Sequence, residues 1–159
     1  FFSQDKERRR PSLPRMCAEG EILKNKNGLS EEIKEEAQSL LADGPTPYTE
    51  EEQEDKRYQL TNLLDDLIGA DSRAEEIFIV NQLAPRMVNF ILVNNGHWKG
   101  KGKWIPRSLQ QWDEELYSEF MAALEEFYQH QDKTKFIELV ERKLENYGGR
   151  LFSGYLRES

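Results

Sequence analysis

The chain has 159 residues, a net charge of −8 and a single cysteine, Cys17, so no intrachain disulfide can form and a reducing, cytoplasmic setting is the natural expectation. It is polar for a globular protein, with 37% apolar and 33% charged residues, but its 8 Phe, 6 Tyr and 3 Trp exceed what a disordered chain carries. Apolar runs such as residues 77–80 are far shorter than a bilayer span and no signal peptide is visible, so neither a membrane nor secretion is expected.

Taken in chain order, residues 1–29 do not read as helix. Pro11 and Pro14 interrupt them, the stretch 25–28 carries a turn signal, and 21–24 suits at most a short strand. The chain begins Phe1-Phe2 rather than with Met, as a processed or excised piece would. Cys17 lies in this segment and reads as an ordinary thiol. From Ser30 onward the pattern is helical. Ile33, Ala37, Leu40 and Leu41 recur at helical spacing, and Asp43-Gly44-Pro45 stops the first helix. Thr49 with Glu52 three residues on forms a capping-box pattern for the second, whose apolar stripe is Tyr58, Leu60, Leu63, Leu64, Leu67 and Ile68. Asp71 or Ser72 caps a third helix running to about Asn95. It is apolar on most sides, as the central helix of a bundle would be, and Pro85 inside it removes one backbone bond. Pro106 starts a short helical turn. Asp113 caps a fourth long helix with Leu116, Phe120, Ala123, Leu124 and Phe127 as its stripe. A fifth starts at Asp132 or Thr134, with Phe136, Leu139, Val140 and Leu144, and Gly148-Gly149 closes it. The expectation is an all-α bundle of four to five helices over residues 30–159, preceded by an irregular segment over 1–29.

The charge is unevenly spread. Residues 30–77 hold four basic and fifteen acidic groups, whereas residues 78–112 hold five basic groups and no acidic ones. Acidic helical faces repel polyanions, so nucleic acid is an unfavoured partner and only the basic island suits an anion such as phosphate. Within it, the loop 97–104 sets three lysines among glycines between Trp98 and Trp104. Glycines admit close approach of a ligand, lysines neutralise phosphate, and indole rings stack on a base or pack on a sugar. Arg86 and Asn89, three apart on the preceding helix, share a face with one another. The competing reading makes both tryptophans core anchors and the lysines a solvated loop.

Independent catalysis finds no support in the motifs. There is no Cys or His pair at metal-ligand spacing, no phosphate-binding Gly-rich loop and no nucleophile elbow, and His97 and His130 are isolated. The carboxylate pairs Asp65-Asp66 and Glu75-Glu76 point about 100° apart on a helix, so each pair shares one site poorly. They suit a solvated face and helix capping, or one acid turned inward as a base.

The order of these segments resembles the C-terminal helical half of bacterial antibiotic-type nucleotidyltransferases, the aminoglycoside- and lincosamide-modifying kind, over about residues 10–157. The resemblance is carried by Arg57-Tyr58-Gln59-Leu60 leading into Leu63-Leu64-Asp65-Asp66-Leu67, by Glu75 and Glu76, by Asn94-Asn95-Gly96-His97-Trp98, by Gly102-Lys103-Trp104-Ile105-Pro106-Arg107, and by Gly148-Gly149-Arg150-Leu151-Phe152-Ser153-Gly154-Tyr155. In that family an N-terminal α/β palm with a Gly-Ser motif and an Asp-x-Asp pair binds magnesium and transfers a nucleotide from a nucleoside triphosphate to a hydroxyl. This sequence has neither motif, and residues 10–29 resemble only the last piece of a palm. The resemblance implies a truncated enzyme, not catalytic alone, whose partners are its missing nucleotidyltransferase domain and a small-molecule hydroxyl acceptor. It further implies that Arg86, Lys101 and Lys103 contact phosphates, that Asn89, Trp98 and Trp104 line or support the cleft, and that Asp65, Asp66, Glu75 or Glu76 activates the acceptor. No cofactor is expected in this chain itself; magnesium and the triphosphate belong to the complete enzyme. This reading requires a concave wall near Arg86. The alternatives are a helical protein-interaction module, a homodimer among its forms, or a bundle that binds another small ligand.

Overall fold

A computed structural model of the chain describes residues 3–11 and 29–152. Among these residues all regular structure is helical: α1 (Ser3–Arg8), α2 (Leu29–Asp43), α3 (Glu50–Gly69), α4 (Arg73–Asn94), α5 (Trp104–Trp112), α6 (Glu114–His130) and α7 (Thr134–Glu145). Five long helices and two short ones make an all-α bundle. The strand expected at 21–24, Cys17 and residues 153–155 lie outside the described residues.

One expectation is corrected. The segment 1–29 was expected to hold no helix, yet Ser3–Arg8 forms one. The prolines that suggested otherwise restrict the residue before them, not the turn upstream. The helix stops at Arg9, which takes a left-handed conformation at φ 57°, two residues before Pro11.

Local signals explain most helix ends. The Thr49 hydroxyl accepts from the Glu52 amide at 3.1 Å, and the Glu52 carboxylate accepts from the Thr49 amide at 3.4 Å. This reciprocal cap starts α3 with three glutamates in its first turn, where they face the positive end of the helix dipole. Ser72, rather than Asp71, caps α4 through the Glu75 amide, and Asp113 caps α6 through the Leu116 amide. Helix α4 runs unbroken through Pro85. Asn94 and Asn95 fold their side-chain amides back onto the carbonyls of Phe90 and Ile91 near its end.

The helices close into a ring in which α4 packs on α3 and α5, α3 on α7, α7 on α6, and α6 on α5. Leu60, Leu64 and Leu67 of α3 meet Leu83, Met87, Phe90 and Ile91 of α4, Phe120 and Phe127 of α6, and Phe136, Val140 and Leu144 of α7 in one core. The stripe predicted for α7 is buried in full. On α3, Ile68 is exposed instead, and Thr61 is buried with its hydroxyl bonded to the Arg57 carbonyl. By length and composition α4 could also cross a bilayer, more than its short apolar runs suggest; here half of that stretch is buried inside the bundle. A central bundle helix needs the same apolar content.

The segment after α7 is fastened to α3. Arg57 donates to the carbonyls of Gly148 and Gly149, and the Leu151 amide donates to the Thr61 hydroxyl at 2.9 Å. Arg150 then reaches Asp65 at 3.0 Å and also pairs with Glu141.

Candidate anion site

Beside this attachment, on the faces of α3 and α4, the chain builds a basic cavity. Helical periodicity places Lys56, Gln59 and Leu60 on one face of α3, and Arg86, Asn89 and Phe90 on one face of α4, each set at i, i+3 and i+4. These faces meet around a cavity of about 240 Å³ that Tyr48, Lys99 and Arg10 complete. Among the described residues its lining holds four cations, Arg10, Lys56, Arg86 and Lys99, and no carboxylate.

Lys99 is held there by its neighbours. Its backbone amide donates to the Arg9 carbonyl at 2.8 Å. On one side of it, Trp98 is buried and its indole N–H donates to the Leu41 carbonyl at 3.0 Å. On the other side, Asn89 grips Gly100 twice, its Oδ1 accepting from the Gly100 amide at 2.8 Å and its Nδ2 donating to the Gly100 carbonyl at 3.1 Å. Gly100 has no alternative at this point, because a Cβ would lie 2.5 Å from the Ile105 nitrogen and the Trp104 carbonyl. The loop is therefore tied to α1, α2 and α4 by three independent attachments.

Arg9 supports the cavity from behind. It is buried, donates to the carbonyls of Thr46 and Pro47, pairs with Glu52 at 2.8 Å and lies 4.4 Å over the Tyr48 ring. That ring stacks on Phe90, and the Lys99 ammonium sits 5.6 Å from its centroid on the cavity side. Burial pushes the Lys99 ammonium down to about 8, and the charges of Lys56, Arg9 and Arg10 push the same way, with Glu52 opposing them. Burial also pushes the Tyr48 hydroxyl up to about 12, against the pull of Arg9. Among the described residues, no carboxylate forms an ion pair with any of the four lining cations.

The residues singled out from sequence divide. Arg86 and Asn89 line the cavity, but Asn89 spends its amide on Gly100 and shapes the wall rather than presenting a free group. Lys101 and Lys103 are exposed and not among the lining residues; the neighbouring Lys99 is. Trp98 is a core anchor. Trp104 is half-buried beneath Arg107, 5.3 Å from its ring, and is not among the lining residues either. His97 stacks on Trp112, and its burial lowers its pKa.

The four acids lie elsewhere. Asp65 is paired with Arg150, and Glu76 with Lys133 at 3.2 Å and Arg73 at 3.6 Å. Asp66 and Glu75 are exposed. None of the four lines the cavity. Among the described residues no group of three or more His, Cys, Asp or Glu side chains comes together as a metal site.

Sequence reasoning missed Arg10, Tyr48, Lys56, Gln59 and Lys99. The spacing 56, 59, 60 facing 86, 89, 90 was available as a signal. Arg10 was not, because it reaches the cavity from a part of the chain about 40 residues from Tyr48 and gives no periodic pattern. Comparison of the chain with protein-family models, curated proteins and solved structures finds no match in any of the three.

Proposed function

We propose that this chain is the substrate-side helical half of a nucleotidyltransferase, and that its basic cavity receives the phosphates of a nucleoside triphosphate. One observation carries the reading: in a chain of net charge −8, four cations converge on one cavity with no carboxylate among the described residues of its lining. Lys56 and Lys99 are half-buried and Arg10 and Arg86 are exposed at its rim, and an anion offsets the repulsion of like charges gathered in this way. At about 240 Å³ the cavity is slightly smaller than the roughly 300 Å³ at which drug-sized ligand pockets begin. It suits the anionic end of a ligand, with the remainder outside. Arg86, Lys56, Lys99 and Arg10 are the phosphate contacts, and Asn89 with Trp98 fix the wall that presents Lys99.

The chain is not catalytic by itself in this reading. The palm on a preceding segment supplies the magnesium ligands, and the complete enzyme transfers a nucleotide to a small-molecule hydroxyl. The acids paired at Asp65 and Glu76 stabilise the bundle.

Calorimetric titration of the chain with a nucleoside triphosphate and with inorganic tripolyphosphate tests the site. Both are expected to bind, and Arg86→Ala is expected to weaken both by about tenfold, equivalent to about 1.4 kcal/mol. Absence of binding, or affinity indifferent to Arg86→Ala, overturns the assignment. A second reading, a helical interaction module, is favoured by Phe78, which is 74% exposed on α4. It predicts association at micromolar concentration that Phe78→Ser abolishes, as sedimentation would show.

A further inference from the structure

We propose that Lys99 is a covalent modification site, acylated by acyl phosphates that dock their phosphate group in the basic cavity. The proposal rests on the cavity's role as a phosphate site and extends it to a reaction of one of its own walls.

Lys99 is the one lysine of the 99–103 loop that lines the cavity, and both of its chain neighbours are fixed by the Trp98 and Gly100 attachments. It faces Arg86 from α4, Lys56 from α3 and Arg10 from the end of α1. The nearest acid acting on it, Glu52, is engaged by Arg9. Tyr48, the remaining titratable group of the lining, keeps its proton well into alkaline conditions. A lysine crowded by other cations and partly desolvated loses its proton more readily, which makes it a nucleophile near neutral pH. Lys101 and Lys103, two and four residues on, are exposed and do not line the cavity.

An acyl phosphate supplies both halves of the reaction. Its phosphate is an anion for Arg10, Lys56 and Arg86, and its carbonyl carbon is attached to that phosphate through one oxygen. The neutral Lys99 Nζ attacks the carbonyl carbon. A C–N bond forms and the C–O bond to phosphate breaks with its electron pair leaving on the phosphate oxygen. One proton passes from the nitrogen to solvent, and the products are the Nζ-acyl lysine and inorganic phosphate. No oxidant, reductant or metal is needed. The product amide is neutral, so the modification removes one of the four charges and closes the site to further anions.

The test uses the chain as it stands, with acetyl phosphate at pH 7.4 and peptide mass spectrometry to read acetylation at each lysine. Lys99 is expected to react about tenfold or more faster than Lys101 and Lys103, from the larger fraction of free amine. Inorganic phosphate and Arg86→Gln should each reduce the Lys99 rate toward that of the loop lysines. N-hydroxysuccinimidyl acetate, which carries no phosphate to dock, should be indifferent to Arg86→Gln. Phosphate binding is measured separately by ³¹P line broadening. If phosphate binds and Lys99 reacts no faster than Lys101 and Lys103, the acylation proposal fails and the phosphate site stands. If Lys99 is fast with both reagents and indifferent to phosphate, amine reactivity alone is at work and docking is refuted. If phosphate does not bind at all, the phosphate site falls and this proposal with it.

Discussion

Two regions of the molecule treat positive charge in opposite ways. Around α6, α7 and the 148–151 segment, the cations that hold the fold together meet carboxylates: Arg142 meets Glu119, Arg150 meets Asp65 and Glu141, and Lys133 and Arg73 share Glu76. At the cavity between α3 and α4, Arg9 takes Glu52, and among the described residues no carboxylate pairs with the four lining cations. Paired charges at half-exposed positions contribute modest stability. Unpaired ones brought together cost stability and are retained where something else uses the charge. The contrast teaches that the acidic overall composition is local, and that the cavity is an exception maintained against it.

The comparison can be broken at several points. The largest expected effect is at the wall that presents Lys99. Trp98→Ala removes a buried indole and its bond to Leu41 and is expected to cost about 3–5 kcal/mol in urea denaturation. Trp104→Ala, at a half-buried ring, should cost about 1 kcal/mol. Equal losses would contradict the division between the two tryptophans. In the ion-paired region, Arg150→Ala leaves Asp65 and Glu141 without their shared partner and should destabilise by about 1–2 kcal/mol. Arg86→Ala at the cavity should leave stability unchanged or slightly raised while weakening anion affinity about tenfold. A mutation that unfolds the bundle would show that Arg86 is structural.

A pH series sharpens the same contrast. The folded Lys99 releases its proton near 8, below the ordinary 10.5 of the unfolded chain. Between these values the unfolded state binds more protons, so stability rises with pH across that window. Tyr48 acts in the opposite sense, since its folded pKa of about 12 lies above the unfolded 10.0 and stability falls with pH beyond 10. Urea midpoints at pH 7, 9.5 and 11 should therefore rise and then fall, and Lys99→Met should flatten the rise alone. A flat wild-type profile from 7 to 9.5 would show that Lys99 is not crowded. The smallest effect is expected at Lys103→Ala, less than twofold on anion affinity, because its side chain is exposed and not in the lining. A loss as large as that of Arg86→Ala would restore the loop lysine as a phosphate contact.

What the sequence disclosed follows the range of the forces involved. The Thr49–Glu52 cap, the Asp113 cap and the α7 stripe depend on neighbours within a turn or two, and each is legible as spacing. Arg86 lines a cavity, but Lys101, Lys103, Trp98 and Trp104 are not among its lining residues. What stayed hidden is non-local. Nothing near Arg9 indicates that its guanidinium will bind the carbonyls of Thr46 and Pro47, 37 and 38 residues away. Nothing near Asn89 says that its amide will be consumed by Gly100. Lys99, Lys101 and Lys103 look alike in a string of residues, and only the fixed backbone between Trp98 and Gly100 turns the first inward. Nothing near Asp65, one of the four candidate acids, indicates that its Arg150 partner lies 85 residues away.

Helix α3 is gripped from both directions along the chain. Arg9 holds Glu52 in its first turn, and Arg57 and Thr61, further along, hold the backbone of residues 148–151. The two stretches that a protease or a pulling force would peel first are therefore both moored to the same rod. Peeling from either side must strip contacts from α3 before it can reach the interior, so the amides of that helix should be among the slowest in the molecule to exchange with deuterated solvent.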